Sequence, residues 1–388
     1  MKNDQLMNNS TQAKQIPVFK PLIEKEEIAA AVESLELGWL GMGSYVKQFE
    51  DHVAAVCELD AASDRHVVAV STGHAAIHLS LLMIGVGPGD EVITPSFNNA
   101  ADFQAIKACG AVPVFVDIRE DTLCIDTSKV EALITEKTKC IIAMDYDIFI
   151  CDHDKLAEIA NRHNIPVLHD AAHSFGSRYK GKPVGNQHAY TMFSFDPVKT
   201  ITCIDGGAIV VQGEKNVQRL QAKRLIGMTQ PAAQMYANSR AWTYDIEELG
   251  FRYHMANLHA AIGISQIKKI DEIRASRQHT CQRYHEELSG LDWIDAPRGD
   301  FASVNPFLYY IRVLNGKRTE LRDYMKSKGI DTGIHWQAGH SFTYLKDCRR
   351  GPLDVTNKIT EEIVSLPLHS KMTSEDVSHI INTVKSFQ

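Results

Sequence analysis

The sequence predicts an α/β fold built on a mainly parallel β-sheet that is covered by helices on both faces. Segments typical of strands alternate with segments typical of helices, as in parallel sheets whose strands are joined by crossover helices. The strand segments at 67–70 and 139–144 are nearly all apolar, and such strands are buried on both faces. Because the chain has 388 residues, more than one core usually holds, we expect two domains.

The elements of the first domain follow from periodicity. Apolar residues at three- and four-residue steps predict helices over 24–35, 45–57, 74–84, 101–109 and 154–163. Short apolar runs predict strands over 67–70, 91–95, 112–116, 139–144 and 166–169, and a further strand after Gly206-Gly207. We expect this large domain to span residues 16–245, after a flexible leader over 1–15.

The pattern changes after about Trp242. It predicts long helices over 256–275 and 277–288, a strand over 307–313, and helices over 317–328 and 374–387. The last of these has its apolar residues on one face, as a helix packed on a core does. We therefore expect a smaller C-terminal α+β domain over 246–388.

Composition narrows the class of protein. The apolar share of 44% and the charged share of 23% are those of an ordinary globular protein. A net charge of −7 argues against nucleic acid as a partner, and no apolar run reaches membrane-spanning length. The polar N-terminus lacks the apolar core of an export signal, and the eight cysteines are scattered without paired spacing. We expect a cytoplasmic protein with reduced thiols and no membrane partner.

Lys199 is the first candidate for chemistry. It follows the apolar segment Phe193-Ser194-Phe195 and precedes Gly206-Gly207 and an apolar strand, so we expect its side chain to be partly buried. Burial disfavours the charged form of lysine, and a neutral amine is a nucleophile near neutral pH. A lysine in a mixed segment is more often a surface residue, so this signal depends on its partners.

Two further candidates stand upstream of Lys199. A strand runs into Asp170, and Thr72-Gly73-His74 follows another strand and opens a helix. Since pockets in parallel sheets lie beyond the carboxyl ends of the strands, one pocket can hold all of them. Taken alone, Asp170 fits a turn or helix cap and Gly73 a tight turn; the ordered set is more specific than its parts.

This set meets the needs of pyridoxal 5′-phosphate (PLP). The aldehyde of PLP needs a lysine for a Schiff base, which Lys199 supplies. A buried carboxylate such as Asp170 keeps the ring nitrogen protonated, so that the ring withdraws electrons. A phosphate group binds well at a helix N-terminus with small residues, and Gly73, His74 and Ser194 suit that role.

From about Ile16 to its C-terminus the sequence resembles the DegT/DnrJ/StrS aminotransferases, which act on nucleotide-linked keto-sugars. The matching segments occur in order at 38–43, 71–76, 87–95, 113–118, 170–173, 193–199, 253–261, 332–335 and 366–369. The resemblance implies fold type I of the PLP transferases, with a mainly parallel, seven-stranded mixed sheet in the large domain. It also implies a homodimer in which both chains build each active site.

By the same resemblance, Lys199 is the Schiff-base lysine, Asp170 is the partner of the ring nitrogen and His173 lies near the ring hydroxyl. The implied cofactor-binding residues are Thr72, Gly73, His74, Asn99, Asp170, His173, Ser194, Lys199 and Arg252.

The sequence departs from the family pattern at several of these positions. The family usually has Thr or Ser where His74 stands, and a ring-stacking aromatic residue where Asn99 stands. Phe97 and Phe175 are candidates to replace that ring. Arg252 replaces an interface asparagine; its fork of donors suits a phosphate or carboxylate, or equally an interface ion pair.

The resemblance implies transfer of an amino group from L-glutamate to carbon 3 or carbon 4 of a nucleotide-linked deoxy-keto-sugar, for surface polysaccharide, lipopolysaccharide or glycoside biosynthesis. Two alternatives stay open: a PLP-binding regulator without turnover, and a sugar 3-dehydratase. That dehydratase branch replaces the lysine with histidine, whereas this chain keeps Lys199. The histidines at 254, 335 and 340 lack metal-ligand spacing, so no metal is expected.

Overall fold

The computed structural model describes residues 15–229, 232–240 and 242–387, so the predicted leader lies outside the described residues except for Gln15. The helices are α1 (Lys25–Glu36), α2 (Ser44–Val56), α3 (Gly73–Ile84), α4 (Ala100–Ala108), α5 (Thr127–Val130), α6 (His153–His163), α7 (Glu214–Lys223), α8 (Ala232–Tyr236), α9 (Asn257–Lys268), α10 (Ile270–Leu288), α11 (Arg318–Ser327), α12 (Asp354–Glu362) and α13 (Ser374–Ser386). The strands are β1 (Arg65–Val70), β2 (Glu91–Pro95), β3 (Val112–Val116), β4 (Thr138–Met144), β5 (Val167–Asp170), β6 (Arg178–Tyr179), β7 (Lys182–Pro183), β8 (Tyr190–Ser194), β9 (Gly207–Gln212), β10 (Ile294–Asp295), β11 (Tyr309–Val313) and β12 (Ile363–Leu366).

The large sheet confirms the predicted α/β class. Its seven strands lie in the order β1-β9-β8-β5-β4-β2-β3. Strand β9 is antiparallel to both of its neighbours, and the other six strands point the same way. Apolar clusters fill both faces of the sheet. The carboxyl ends of six strands therefore meet at one edge, where sheets of this kind bind ligands.

Helix α3 holds the loop after β1 at the carboxyl edge of the sheet. Apolar residues occur on all sides of the helix, including Ile77, Leu79 and Leu81, and nearly all of it is buried. A helix without a polar face belongs inside a protein. It packs on the sheet and on α4, which fixes the position of its N-terminal end.

The C-terminal part of the chain forms a smaller α+β unit, as predicted. Strands β10, β11 and β12 make an antiparallel sheet, and a separate apolar cluster packs that sheet against helices α10, α11 and α13. The backbone of Ile16 pairs with Ile330 in this unit. The division of the chain at residue 245 stays a prediction.

The predicted helix over 256–275 was wrong in its length. Helix α9 ends at Lys268, and α10 begins at Ile270 and continues unbroken through residue 276. Lys269 lies at the break, where its ammonium group is 2.8 Å from the carboxylate of Glu27 on α1. This contact joins residues far apart in sequence, so local periodicity carries no sign of it. In the described part of the chain, no helix is long and apolar enough to cross a membrane.

Candidate active site

The predicted site residues meet at the carboxyl edge of the large sheet. Thr72 follows β1, Asn99 follows β2, Asp170 ends β5 and Ser194 ends β8. Lys199 lies in the turn after β8, where its N–H donates to the carbonyl of Asp196 at 3.0 Å. Parallel strands predicted that Thr72, Asp170 and Lys199 would lie at one edge, and the strand order places them there.

The start of α3 offers donors for an anion. The side chain of Thr72 accepts from the N–H of Ala75 at 2.9 Å, and the carbonyl of Thr72 accepts from the N–H of Ala76 at 3.1 Å. The N–H groups of Gly73 and His74, in the first turn, have no partner within the helix. Two N–H groups at the positive end of a helix dipole suit a phosphate.

Glycine is required at position 73 by a close approach. A Cβ at Gly73 would lie 2.7 Å from Oγ of Ser194, and a Cβ at Gly207 would lie 2.3 Å from the carbonyl oxygen of Thr72. The loop after β1 therefore touches the ends of β8 and β9, and Ser194 lies beside the helix N-terminus. The N–H groups at the start of α3 and the hydroxyl of Ser194 fit the phosphate group of PLP.

Lys199 is held in a setting that favours its neutral form. Its Nζ lies over the ring of Phe307, 4.1 Å from the centroid. Burial lowers the pKa of Lys199 to about 8, although the nearby carboxylate of Asp170 acts in the opposite direction. A sizeable fraction of the amine is therefore neutral near pH 8, as a nucleophilic lysine needs.

Asp170 is a buried carboxyl group at the end of β5. Its Oδ1 accepts from the N–H of Ala172 at 2.9 Å. Burial raises the pKa of Asp170 to about 6, while the Ala172 N–H and the charge of Lys199 act to lower it. Above that pH the group carries a negative charge, which pairs well with a protonated ring nitrogen.

His173 is a neutral aromatic residue in this site. Its ring packs on Phe307, with 4.5 Å between centroids, and on Trp336, with 5.9 Å between centroids. Its Nδ1 accepts from the N–H of Asp147 at 3.4 Å. Burial holds the pKa of His173 well below its ordinary value, so its ring is uncharged near neutral pH.

A buried carboxylate braces the strand that ends in Asp170. Oδ2 of Asp145 accepts from His169 and from Ser174, both at 2.6 Å, and Oδ1 accepts from the N–H of Cys151 at 2.9 Å. The ring of His153 lies 3.3 Å from Oδ1. Among the described residues, Asp145, His153 and His169 are the one group close enough to share a metal ion. The four contacts already use both carboxylate oxygens, so the group works as a hydrogen-bonded brace.

The remaining predicted residues lie in different settings. The side chain of Asn99 caps α4 by accepting from the N–H of Ala101 at 2.9 Å. Nε2 of His74 is buried and has no hydrogen-bond partner in the described part of the chain. Arg252 is exposed. Phe97 and Phe175 are both packed in the core, so neither ring is free to replace the missing aromatic residue at position 99.

Sequence reasoning missed three residues of this site. Asp102 lies on α4 and is fully buried beside Asp170, while Phe307 and Trp336 come from the C-terminal part of the chain. The acidic residue at 102, on a helix whose other inward residues are apolar, was a signal that could have identified it. The sequence around Phe307 did not indicate a site residue, because a phenylalanine at the start of a strand is usually part of the hydrophobic core.

The fold and the site together define a class of enzyme. A partly buried lysine with a lowered pKa, a buried carboxylate and a helix N-terminus meet at one edge of a mainly parallel, seven-stranded sheet. This is the arrangement of a fold type I PLP enzyme.

Comparison with known proteins identifies the family within that class. Residues 21–385 match the DegT/DnrJ/EryC1/StrS aminotransferase family, and the chain belongs to it. It is thus an aminotransferase, a class that implies PLP as the cofactor.

Three similar proteins illustrate the match. The uncharacterized protein MJ1066 of Methanocaldococcus jannaschii is 32% identical over 95% of this chain and 97% of its own. The structure of the aminotransferase TlmJ from Streptoalloteichus hindustanus superposes with a TM-score of 0.88 at 28% identity, covering 96% of this chain and 98% of that one. The putative sugar aminotransferase Spr1654 from Streptococcus pneumoniae, in its PMP form, gives the same TM-score, identity and coverage.

Proposed function

We propose that this aminotransferase binds PLP and moves an amino group from L-glutamate to carbon 3 or carbon 4 of a nucleotide-linked deoxy-keto-sugar. The observation that carries the proposal is that Lys199 and the buried carboxyl of Asp170 lie at the same edge of the sheet. The amine of Lys199 has a pKa of about 8. Support for a sugar substrate comes from Spr1654, a putative sugar aminotransferase solved in PMP and PLP forms.

Each residue of the site would bind a different part of the cofactor. Lys199 would hold the carbonyl carbon, Asp170 the ring nitrogen, and Ser194 with the N–H groups of Gly73 and His74 the phosphate. His173 would lie beside the ring hydroxyl, and Thr72, Asn99 and Arg252 complete the proposed binding set. When bound, the cofactor supplies a ring that withdraws electrons from the carbon next to the amino group.

Lys199 would also move the proton. The amine of Lys199 lies in a partly buried site beside Phe307. With its pKa lowered to about 8, the amine can take a proton from the amino-bearing carbon and return it elsewhere, since a base works best when its pKa is near the working pH. The apolar ring of Phe307 packs against this amine.

Exposed apolar side chains support a homodimer with shared active sites. Trp242 is 87% exposed and Leu249 is 73% exposed. Further exposed apolar side chains on and near α1 are Ile28, Val32, Leu35 and Leu40. Exposed apolar side chains are common at protein–protein interfaces. We further propose that the enzyme works in the cytoplasm, in a pathway for surface polysaccharide, lipopolysaccharide or glycoside synthesis.

A PLP-binding regulator is the alternative from a different class. The unusual residues at His74, Asn99 and Arg252 favour it, because each departs from the family pattern. A regulator would bind the cofactor and show its absorbance, but no amino acid would convert that absorbance by donating its amino group.

The test is product analysis by mass spectrometry. The enzyme is incubated with L-glutamate and, in turn, GDP-, UDP- and dTDP-linked 3-keto and 4-keto sugars. We expect one sugar to gain an amino group with formation of 2-oxoglutarate, and we expect no product from the matched control Lys199→Ala. A deoxygenated keto-sugar without nitrogen would indicate the dehydratase. The absence of any product from a protein that shows PLP absorbance would favour the regulator.

A further inference from the structure

A second carboxyl group lies beside Asp170. Asp102, in the first turn of α4, is completely buried, and its side chain is in hydrogen-bonding contact with the side chain of Asp170. Oδ2 of Asp102 accepts from the side-chain amide of Asn98 at 2.5 Å. Oδ1 is buried and meets no N–H or hydroxyl donor in the described residues. Within the described part of the chain, Asp170 is thus the polar side chain, besides Asn98, that contacts the Asp102 carboxyl.

Two carboxyl groups in contact inside a protein do not both ionise. Like charges at such a distance repel strongly where water is absent, so one group keeps its proton. No Lys, Arg or His among the described residues forms an ion pair with Asp102. The charged groups that face the pair are Lys199, which acts on both carboxyls, and Asp145, which lies near Asp170.

We propose that Asp102 is a positioning residue of this site: it stays protonated and donates its proton in a hydrogen bond to Asp170, which alone carries the negative charge. The role assigned to Asp170 rests on the proposed function, whereas the shared proton belongs to the protein itself. The protonated carboxyl of Asp102 thus holds the Asp170 carboxylate in one orientation toward the ring nitrogen.

The environments of the two groups decide which one holds the proton. Asp170 accepts from the Ala172 N–H and feels the charge of Lys199, and both favour its ionised form. Asp102 accepts from the side-chain N–H of Asn98 and also feels Lys199, but both act on its pKa less than burial and the charge of Asp170 do. Burial, and then the neighbouring Asp170, raise the pKa of Asp102 well above its ordinary value. After burial, the largest influences on Asp170 are the Ala172 N–H and Lys199, whereas the largest on Asp102 is the negative charge of Asp170, so the shared proton lies on Asp102.

A carboxylic acid at this position differs from a merely structural residue in one measurable way. A protonated carboxyl group has its own C=O stretching band in the infrared, separate from that of a carboxylate. The frequency of this band depends on what the acid donates to, so it reports the contact as well as the proton.

The test is isotope-edited infrared spectroscopy of the full-length apoenzyme at pH 7, with ¹³C-labelled aspartate. We expect Asp102→Asn to remove the intensity of one protonated carboxyl from the wild-type spectrum. We expect Asp170→Asn to keep that band but shift its frequency, since the acceptor changes from a carboxylate to an amide. Asp147→Asn is the matched control, because Asp147 is another buried carboxyl with a raised pKa, of about 8, and its loss should leave the Asp102 band in place.

Two results would overturn the proposal. Asp102→Asn could leave the protonated-carboxyl intensity unchanged, which would mean that Asp102 is ionised. Asp170→Asn could leave the band at its wild-type frequency, which would mean that the two groups do not share a proton. The second variant retains Asp102, so it decides the question even if Asp102→Asn does not fold. Because the apoenzyme needs neither cofactor nor sugar for this measurement, its outcome is separate from that of the product assay.

Discussion

Nζ of Lys199 lies 4.1 Å above the ring centroid of Phe307. The ring face carries partial negative charge and stabilises an ammonium group, whereas the surrounding burial favours the neutral amine. The pKa of about 8 lies far below the ordinary 10.5 of lysine, so burial is the larger influence. Phe307 thus encloses the lysine while limiting how far its pKa falls.

Phe307→Leu should lower the pKa of Lys199 further. Leucine keeps the site apolar but has no ring, and a cation–π contact is worth roughly 0.5–2 kcal/mol, or about 0.4–1.5 pH units. The measurement is the rate at which the apoenzyme incorporates PLP as a function of pH, which reports the fraction of neutral amine. Phe307→Tyr keeps the ring and serves as the control. A midpoint that moves upward in the leucine variant would mean that the ring acts mainly by excluding water.

Asp170→Asn should lose most of the activity and weaken cofactor binding. The variant keeps the shape of the side chain but removes the charge that pairs with a protonated ring nitrogen. A hydrogen bond to a charged group is worth about 1.5–3 kcal/mol, so the Kd for PLP should rise about ten- to a hundred-fold. Fluorescence titration of the apoenzyme measures this Kd, and steady-state kinetics measures the rate. A near-wild-type rate would show that the ring does not depend on this carboxylate.

Asp147→Asn should stabilise the protein at alkaline pH relative to the wild type. Burial raises the pKa of Asp147 from 3.8 to about 8, so the folded state holds a proton that the unfolded state releases. The stability that this proton provides is complete below about pH 4 and is lost as the pH rises toward about 8. Asparagine keeps the acceptor for the N–H of Leu308 and tolerates the positive φ of 55° at this position.

Between pH 5 and pH 8 the free energy of unfolding of Asp147→Asn should therefore rise by about 3–4 kcal/mol relative to the wild type. Urea unfolding at both values of pH measures it, and all other titrating groups cancel in the comparison. Equal slopes of stability against pH in the two proteins would mean that Asp147 is ionised in the folded state.

Arg252→Asn should weaken the binding of an anion. The neighbouring Tyr253 carbonyl accepts from the N–H of Ser71 at 2.7 Å, which brings this segment against the loop proposed to hold phosphate. Arg252 is exposed and forms no ion pair with another described residue. A charge-assisted contact is worth about 1.5–3 kcal/mol, so the Kd for PLP or the KM for the nucleotide sugar should rise about ten- to a hundred-fold.

Cofactor titration and steady-state kinetics of this variant decide the matter, with the melting temperature as the control for folding. If both constants stay within about twofold while the melting temperature falls, Arg252 is a structural residue of an interface.

Much of the fold could be predicted from the sequence, because it depends on the local pattern of apolar and polar residues. Apolar strands alternating with helices predicted the parallel sheet, and the sheet placed Thr72, Asp170 and Lys199 at one edge. The boundaries of β2 and β3 were predicted to the residue. The break at Lys269 was missed, since a contact with Glu27, more than two hundred residues away, accompanies it.

The residues that surround Lys199, His173 and Asp170 were harder to predict from the sequence. Phe307 and Trp336 reach Lys199 and His173 from the C-terminal part of the chain, and no spacing rule connects segments so far apart. The contact between Asp102 on α4 and Asp170 at the end of β5 likewise joins residues that are far apart in sequence. Local sequence therefore predicted candidate residues that the fold brings to one edge of the sheet, while tertiary packing determines their pKa values.

The central claim is that Lys199 carries the cofactor, and chemical trapping tests it most directly. The enzyme is saturated with PLP, reduced with borohydride, digested and analysed by mass spectrometry, with Lys199→Ala treated in parallel. We predict one modified peptide, containing Lys199, and no modification at that position in the variant. Labelling of a different lysine in the wild type, or no labelling of a protein that binds PLP, would contradict the account.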